Sequence, residues 1–121
     1  MAGKIVADTL EHSTAGSIAT NYVVDGSAKA HVRFNGSGTV AISGYSLNVS
    51  SVTDLGTGNY EPILTNTLAA NQGMHMRSSN SYQCWDSSSG AANKMPINTS
   101  DASGTLGDTG RCYCSVHGDL A

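Results

Sequence analysis

Between Ala28 and Asn35 the chain alternates without a break: Ala28, Ala30, Val32 and Phe34 fall on one side of an extended backbone, Lys29, His31, Arg33 and Asn35 on the other. Successive strand side chains point to opposite faces, so this period of two predicts a strand with one dry and one wet face. Asn35-Gly36-Ser37-Gly38 follows, residues that accept positive φ, and Thr39 to Ser43 resumes with β-branched Val40 and Ile42. That pairing of turn and strand residues predicts a hairpin. Tyr45 to Thr53 continues as a strand in which Leu47 and Val49 are in phase and Val52 is not. A bulge or a change of face near Ser50 and Ser51 accounts for the slip.

The same signals divide the rest of the chain. Asp54 to Asn59 is a turn leading into a strand from Tyr60 to Thr65, where Pro62 has no N–H for a ladder and so predicts an edge position or a strand start. Residues 65–73 form a connection, Met74 to Arg77 and Ser81 to Trp85 are extended, and Arg111 to His117 closes the chain as a strand. Residues 86–110 are dominated by Ser, Gly, Asn and Asp and are expected to form a long polar loop, with one short strand at Lys94 to Asn98. Residues 1–20 hold no sustained period. They predict an extended N-terminal arm with at most one helical turn around Ile5 to Glu11, too short to be stable alone. The expected fold class is all-β: an antiparallel β-sandwich or jelly-roll-like domain over residues 21–121, preceded by the arm.

What such a domain lacks is large apolar side chains. Leu, Ile, Val and Phe together number 21 of 121 residues, against 51 for Ser, Thr, Gly and Asn. Charged residues make up only 12% and the net charge is −3, so self-repulsion does not hold the chain open. A folded chain this poor in core material is expected to gain apolar burial from identical copies of itself. The six Lys and Arg residues form no basic stripe in the sequence, which argues against nucleic acid as a partner. No apolar run approaches the roughly 20 residues of a membrane span, and MAGKIVADTLEH lacks the apolar core of a signal peptide. The odd set Cys84, Cys112 and Cys114 argues against a disulfide framework.

Catalytic chemistry finds no home: nucleophile elbow, phosphate-binding glycine loop and HExxH are all missing, and the nine carboxylates are dispersed. We expect no enzyme activity and no cofactor. Cys112-Tyr113-Cys114 puts two sulfurs on one strand face, but without the turn that paired zinc ligands need, so buried packing is favoured over a metal site. Met74-His75-Met76 fits an exposed His between two methionines that face a core or a subunit interface. His31 and Arg33 could bind an anion, though a solvated face beside Lys29 is the simpler expectation. The remaining group is Tyr82, Trp85, Asp86, Asn93 and Lys94, in and beside the polar loop. Aromatic faces flanked by amide and charged groups suit sugar rings, which makes these residues candidate receptor or glycan contacts. The alternative is that Trp85, the single Trp of the chain, packs in the core.

The run Tyr22-Val23-Val24-Asp25-Gly26-Ser27-Ala28-Lys29-Ala30, continued by Phe34-Asn35-Gly36-Ser37-Gly38-Thr39-Val40-Ala41-Ile42, resembles small tail-fibre-like structural proteins of tailed bacteriophages of marine and freshwater hosts, cyanophages included. Leu47 to Asp54, Gly56 to Tyr60 and the closing Val116 to Ala121 extend the resemblance. The chain departs from that pattern at His31, where an aromatic residue is usual, and at Glu61-Pro62-Ile63-Leu64, where the strand usually alternates without interruption. The resemblance implies a virion protein made in the host bacterial cytoplasm. It implies a homotrimer that forms a tail fibre or fibre-like appendage, joined to other tail or capsid proteins through its N-terminal arm and contributing to attachment at host surface glycans. A capsid decoration or tail adaptor protein without receptor binding is the alternative, and a free carbohydrate-binding module a third.

Overall fold

The computed structural model describes residues 3, 5–69, 73–78, 83–86 and 92–118, and of residues 73 and 83–86 the backbone. Ten strands and one short helix are described, and every strand pair is antiparallel. A two-stranded unit, β1 (Thr9–His12) with β2 (Gly16–Ala19), is followed by α1 (Thr20–Gly26). One four-stranded sheet has the order β4-β3-β10-β7, from β3 (Ala28–Asn35), β4 (Ala41–Ile42), β7 (Gly73–Ser78) and β10 (Cys112–His117). The other has the order β5-β6-β9-β8, from β5 (Val49–Gly56), β6 (Asn59–Leu64), β8 (Gln83–Asp86) and β9 (Ile97–Ser100).

The alternation of β3 holds residue by residue: Ala30, Val32 and Phe34 are buried, and Lys29, His31, Arg33 and Asn35 are half-buried on the other face. Register carries that sidedness to the neighbouring strands. Val32 lies opposite Cys114, which lies opposite Met76, while Ala30, Val116 and Met74 form the next inward row. Cys112 and Cys114 are therefore buried as small apolar residues, and Met74 and Met76 pack against the core with His75 exposed between them. The second sheet supplies Val49, Tyr60, Leu64 and Ile97 to the same buried cluster, with Met95 from the chain entering β9. Phe34 meets Tyr60 edge-on at 5.2 Å between ring centroids, and Cys114 Sγ lies 3.9 Å from Met95 Sδ.

Hydroxyls take core positions that large apolar residues would otherwise fill. Thr99, Ser100 and Thr109 are fully buried. Thr99 Oγ1 donates to the Gly107 carbonyl at 2.6 Å, Ser100 Oγ donates to the Asp101 carbonyl at 3.1 Å, and Thr109 Oγ1 lies 3.5 Å from Ser78 Oγ. Short side chains whose hydroxyls are bonded on the spot cost little to bury. This is why segment 86–110 is more than a polar loop: Met95, Pro96, Ile97, Thr99, Ser100 and Thr109 are all buried within it. Its strand falls at Ile97–Ser100, three residues beyond the start expected at Lys94.

The bulge expected near Ser50 and Ser51 is present, the β5·β6 register slipping between Val49 and Ser51. The turn expected over Asp54 to Asn59 narrows to Thr57-Gly58, because β5 runs on to Gly56. The edge position expected for Pro62 is corrected: β6 lies between β5 and β9. Its pairing reaches β9 at Asn59↔Asn98 and Tyr60↔Ile97, and the same register continues to Ile63↔Lys94. Pro62 needs no N–H on its β5 side, since its carbonyl points to the other neighbour and accepts from the Met95 N–H at 2.9 Å. An inner strand thus tolerates the proline at the loss of one ladder bond.

In residues 1–20, expected as an extended arm with at most one helical turn, the structure places the antiparallel pair β1 and β2. The His12 ring closes the turn, its Nδ1 accepting from the Thr14 and Ala15 N–H groups at 3.3 and 3.1 Å. None of the residues of β1, β2 or α1 is buried.

Candidate functional site

The outward residues of β3, β10 and β7 form two complete rows. Register sets Arg33, Tyr113 and Arg77 side by side, and His31, Ser115 and His75 in the next row. Lys29 and His117 extend the face at the end of β3 and β10 nearest α1. With strands about 4.8 Å apart and alternate residues about 7 Å apart, the two arginine Cα atoms stand ~10 Å from each other and ~7 Å from the histidine row. A shallow cavity of about 520 Å³ runs along these rows, lined by His31, Arg33, His75, Arg77, Tyr113 and Ser115.

Three of the six Lys and Arg residues and three of the four His residues thus share one face of a chain whose net charge is −3. The outward positions of the three strands hold no carboxylate. Among the described residues the ion pair present is elsewhere, between Lys94 Nζ and Glu61 Oε1 at 2.8 Å. Arg33 is held by its neighbours: its guanidinium carbon lies 5.8 Å from the centre of the Tyr113 ring, and its Nε is shielded from solvent with no acceptor among the described residues. Tyr45 is 77% exposed and stacks at a tilt on His31, 5.2 Å between ring centroids. His75 and His117 meet edge-on at 6.2 Å. Lys29 Nζ donates to the Val24 and Ser27 carbonyls and to Ser27 Oγ, so its charge is solvated by oxygen dipoles and not neutralised. Such a face can receive anions through guanidinium hydrogen bonds.

Of the contacts expected from sequence, those that fall on the described residues lie on or beside the other sheet. Tyr82 lies outside the described residues. Trp85 and Asp86 are on β8, an edge strand, opposite Asn98 and Ile97 of β9. Asn93 and Lys94 lie against β6: the Asn93 carbonyl accepts from the Leu64 N–H at 2.8 Å, and Lys94 pairs with Glu61. Among the described residues, no group of three or more His, Cys, Asp and Glu is placed to hold a metal ion. Sequence reasoning placed His31 and Arg33 on one strand face beside Lys29 and expected that face to be simply solvated. It missed Arg77, Tyr113 and Ser115, whose period-two positions are visible in sequence but whose adjacency to β3 is not.

Among the described residues, two groups titrate away from their ordinary values. Burial, then the hydrogen bond and charge of Asp108, push the Tyr60 phenol well above the usual tyrosine range. Tyr60 Oη donates toward the Gly36 carbonyl at 2.6 Å, with Asp108 Oδ1 at 3.0 Å. The Ser103 hydroxyl and the Thr105 N–H, both donating to Asp101 Oδ1 at 2.6 and 2.9 Å, hold that carboxyl below the usual range. Compared with protein-family models, with curated proteins and with solved structures, the chain has no match.

Proposed function

We propose that this chain is a noncatalytic structural protein of a tailed-phage virion, a trimeric fibre or fibre-like appendage that attaches to the host surface. The observation that carries it is apolar surface left open at one end. Among the described residues, seven of the twelve large exposed hydrophobic side chains fall between Ile5 and Val24, with Ile5 at 90% and Val6 at 81% exposure. Ile5, Val6, Leu10, Val23 and Val24 line a groove of about 490 Å³. Contiguous exposed apolar surface of this kind marks an interaction site. It fits a segment that docks to identical copies or to the rest of a particle. The two sheets sharing one core support a β-sandwich as the body this segment carries. Three identical bodies on one fibre give avidity that a single weak site lacks.

A capsid decoration or tail adaptor protein would use the same docking segment. The cationic face is what favours attachment, because an adaptor has no need of an open charged surface beyond its docking segment. Native mass spectrometry of the full chain at micromolar concentration tests the proposal. Three copies per particle are expected, and a single monomer peak overturns it.

A further inference from the structure

We propose that the outer face of β3, β10 and β7 is a binding site for an acidic polysaccharide, one that carries carboxylate or sulfate groups along its chain. The inference deepens the attachment reading and rests on it for the source of the ligand. Its evidence is the row Arg33, Tyr113, Arg77, backed by His31 and His75, with no carboxylate on the same face of the three strands.

Three observations separate this from an ordinary solvated face. First, the charges are segregated. The Arg33 and Arg77 Cα atoms stand ~10 Å apart, about one Debye length, and no carboxylate on the face of the three strands offsets either guanidinium. A bound polyanion would. Second, Arg33 is pinned on the Tyr113 ring with its Nε already desolvated. Its fork is ordered before any ligand arrives, which lowers the entropy lost on binding a planar carboxylate or a sulfate. Third, Tyr45 stands open beside His31 and offers an aromatic face to the apolar side of a sugar ring. The cavity of about 520 Å³ is within the ~300–1,000 Å³ range of small-ligand sites. A nucleic acid is disfavoured: duplex DNA carries one charge per ~1.7 Å, and three fixed cations on a chain of net charge −3 neutralise little of it.

The test is titration of the full-length protein with heparin as the sulfated probe and polygalacturonate as the carboxylated one. Neutral dextran and single-stranded DNA serve as comparisons. We expect at least one acidic polysaccharide to bind, to weaken steeply as salt rises, and to leave dextran unbound. Arg33→Gln with Arg77→Gln is expected to weaken binding by about tenfold or more, roughly one lost charge-assisted contact per side chain. Arg77→Gln alone, which breaks no side-chain hydrogen bond or ion pair seen among the described residues, is expected to lose part of this and keeps the test open if the double variant does not fold. Lack of binding to both acidic probes, unchanged affinity in Arg77→Gln, or tighter binding of DNA than of either polysaccharide overturns the site. The outcome is separable from the attachment reading by the mass measurement on the same sample. A trimer that binds neither probe sinks the site alone, and a monomer that binds one sinks the fibre alone.

Discussion

Gly58 and Gly38 have nearly the same backbone conformation, φ +66° and +70°, and opposite surroundings. A Cβ at Gly38 meets nothing within 4 Å, whereas at Gly58 it would lie 2.5 Å from the Thr99 carbonyl oxygen and 2.7 Å from the Gly107 nitrogen. Both substitutions to Ala incur the left-handed cost of about 1–2 kcal/mol. Gly58→Ala must in addition part the β5–β6 turn from segment 99–107, since the obstacles are backbone atoms. That movement strains the Thr99 N–H to Gly58 carbonyl bond of 2.8 Å, the Gly58 N–H to Asp108 Oδ1 bond of 2.7 Å and the Gly107 N–H to Thr99 carbonyl bond of 3.1 Å. At about 1 kcal/mol for each of the two bonds made by Gly58, and as much again if the Gly107–Thr99 bond goes with them, the expected total is ~3–5 kcal/mol for Gly58→Ala against ~1–2 kcal/mol for Gly38→Ala. At about 4 °C per kcal/mol for a chain of this size, thermal melts followed by circular dichroism should fall by roughly 12–20 °C and 4–8 °C. Equal losses, within about 0.5 kcal/mol, would mean that the turn and the 99–107 segment do not touch, and the account of the polar core would fail with them.

Tyr60→Phe is expected to cost about 1–3 kcal/mol at neutral pH, because the Gly36 carbonyl loses its donor in a closed site. The same variant reports on pH: the folded state favours the neutral phenol, so wild-type stability is intact below the unfolded value near 10 and falls by up to about 1.4 kcal/mol per pH unit above it. Urea midpoints measured from pH 9 to 11 should show that decline, and Tyr60→Phe should flatten it; an unchanged slope refutes the assignment. Asp101 works in the opposite direction, its lowered carboxyl lending stability that is present above the unfolded value near 4 and lost as pH falls through the folded one. Asp101→Asn should therefore shrink the loss of stability between pH 5 and 3, and a variant that tracks the wild type there rules the turn out as its cause. Ile18→Asp, at a side chain 47% exposed on β2, should leave the melt of the two-sheet body within about 0.5 kcal/mol and reduce the number of copies seen by native mass. Persistence of the full assembly would clear this strand of any role in docking.

Alternation is a local property of extended backbone, which is why β3, its hairpin and the slip at Ser50 could be read from the residues alone, and why Met74, Met76, Cys112 and Cys114 could be assigned to a dry face. The residue types that complete the cationic face were equally visible. Their meeting was not, because β10 enters between β3 and β7 from nearly 80 residues away along the chain, and no local pattern encodes which strands become neighbours. For the same reason β6 turned out to be an inner strand despite Pro62: whether a missing N–H matters depends on which neighbour that N–H would face. The N-terminal strand pair hinges on a His12 ring folded back over its own turn, a contact without a sequence period. Segment 86–110 looked like a loop because hydroxyl residues count as polar in any pattern, and only three-dimensional packing gives Thr99, Ser100 and Thr109 the partners that let them stand in for apolar side chains. Sequence thus determined which side of each strand is dry, since that follows from the geometry of successive residues. The tertiary structure decided which wet sides lie together, since that depends on contacts whose closure entropy is overcome only when the whole core forms.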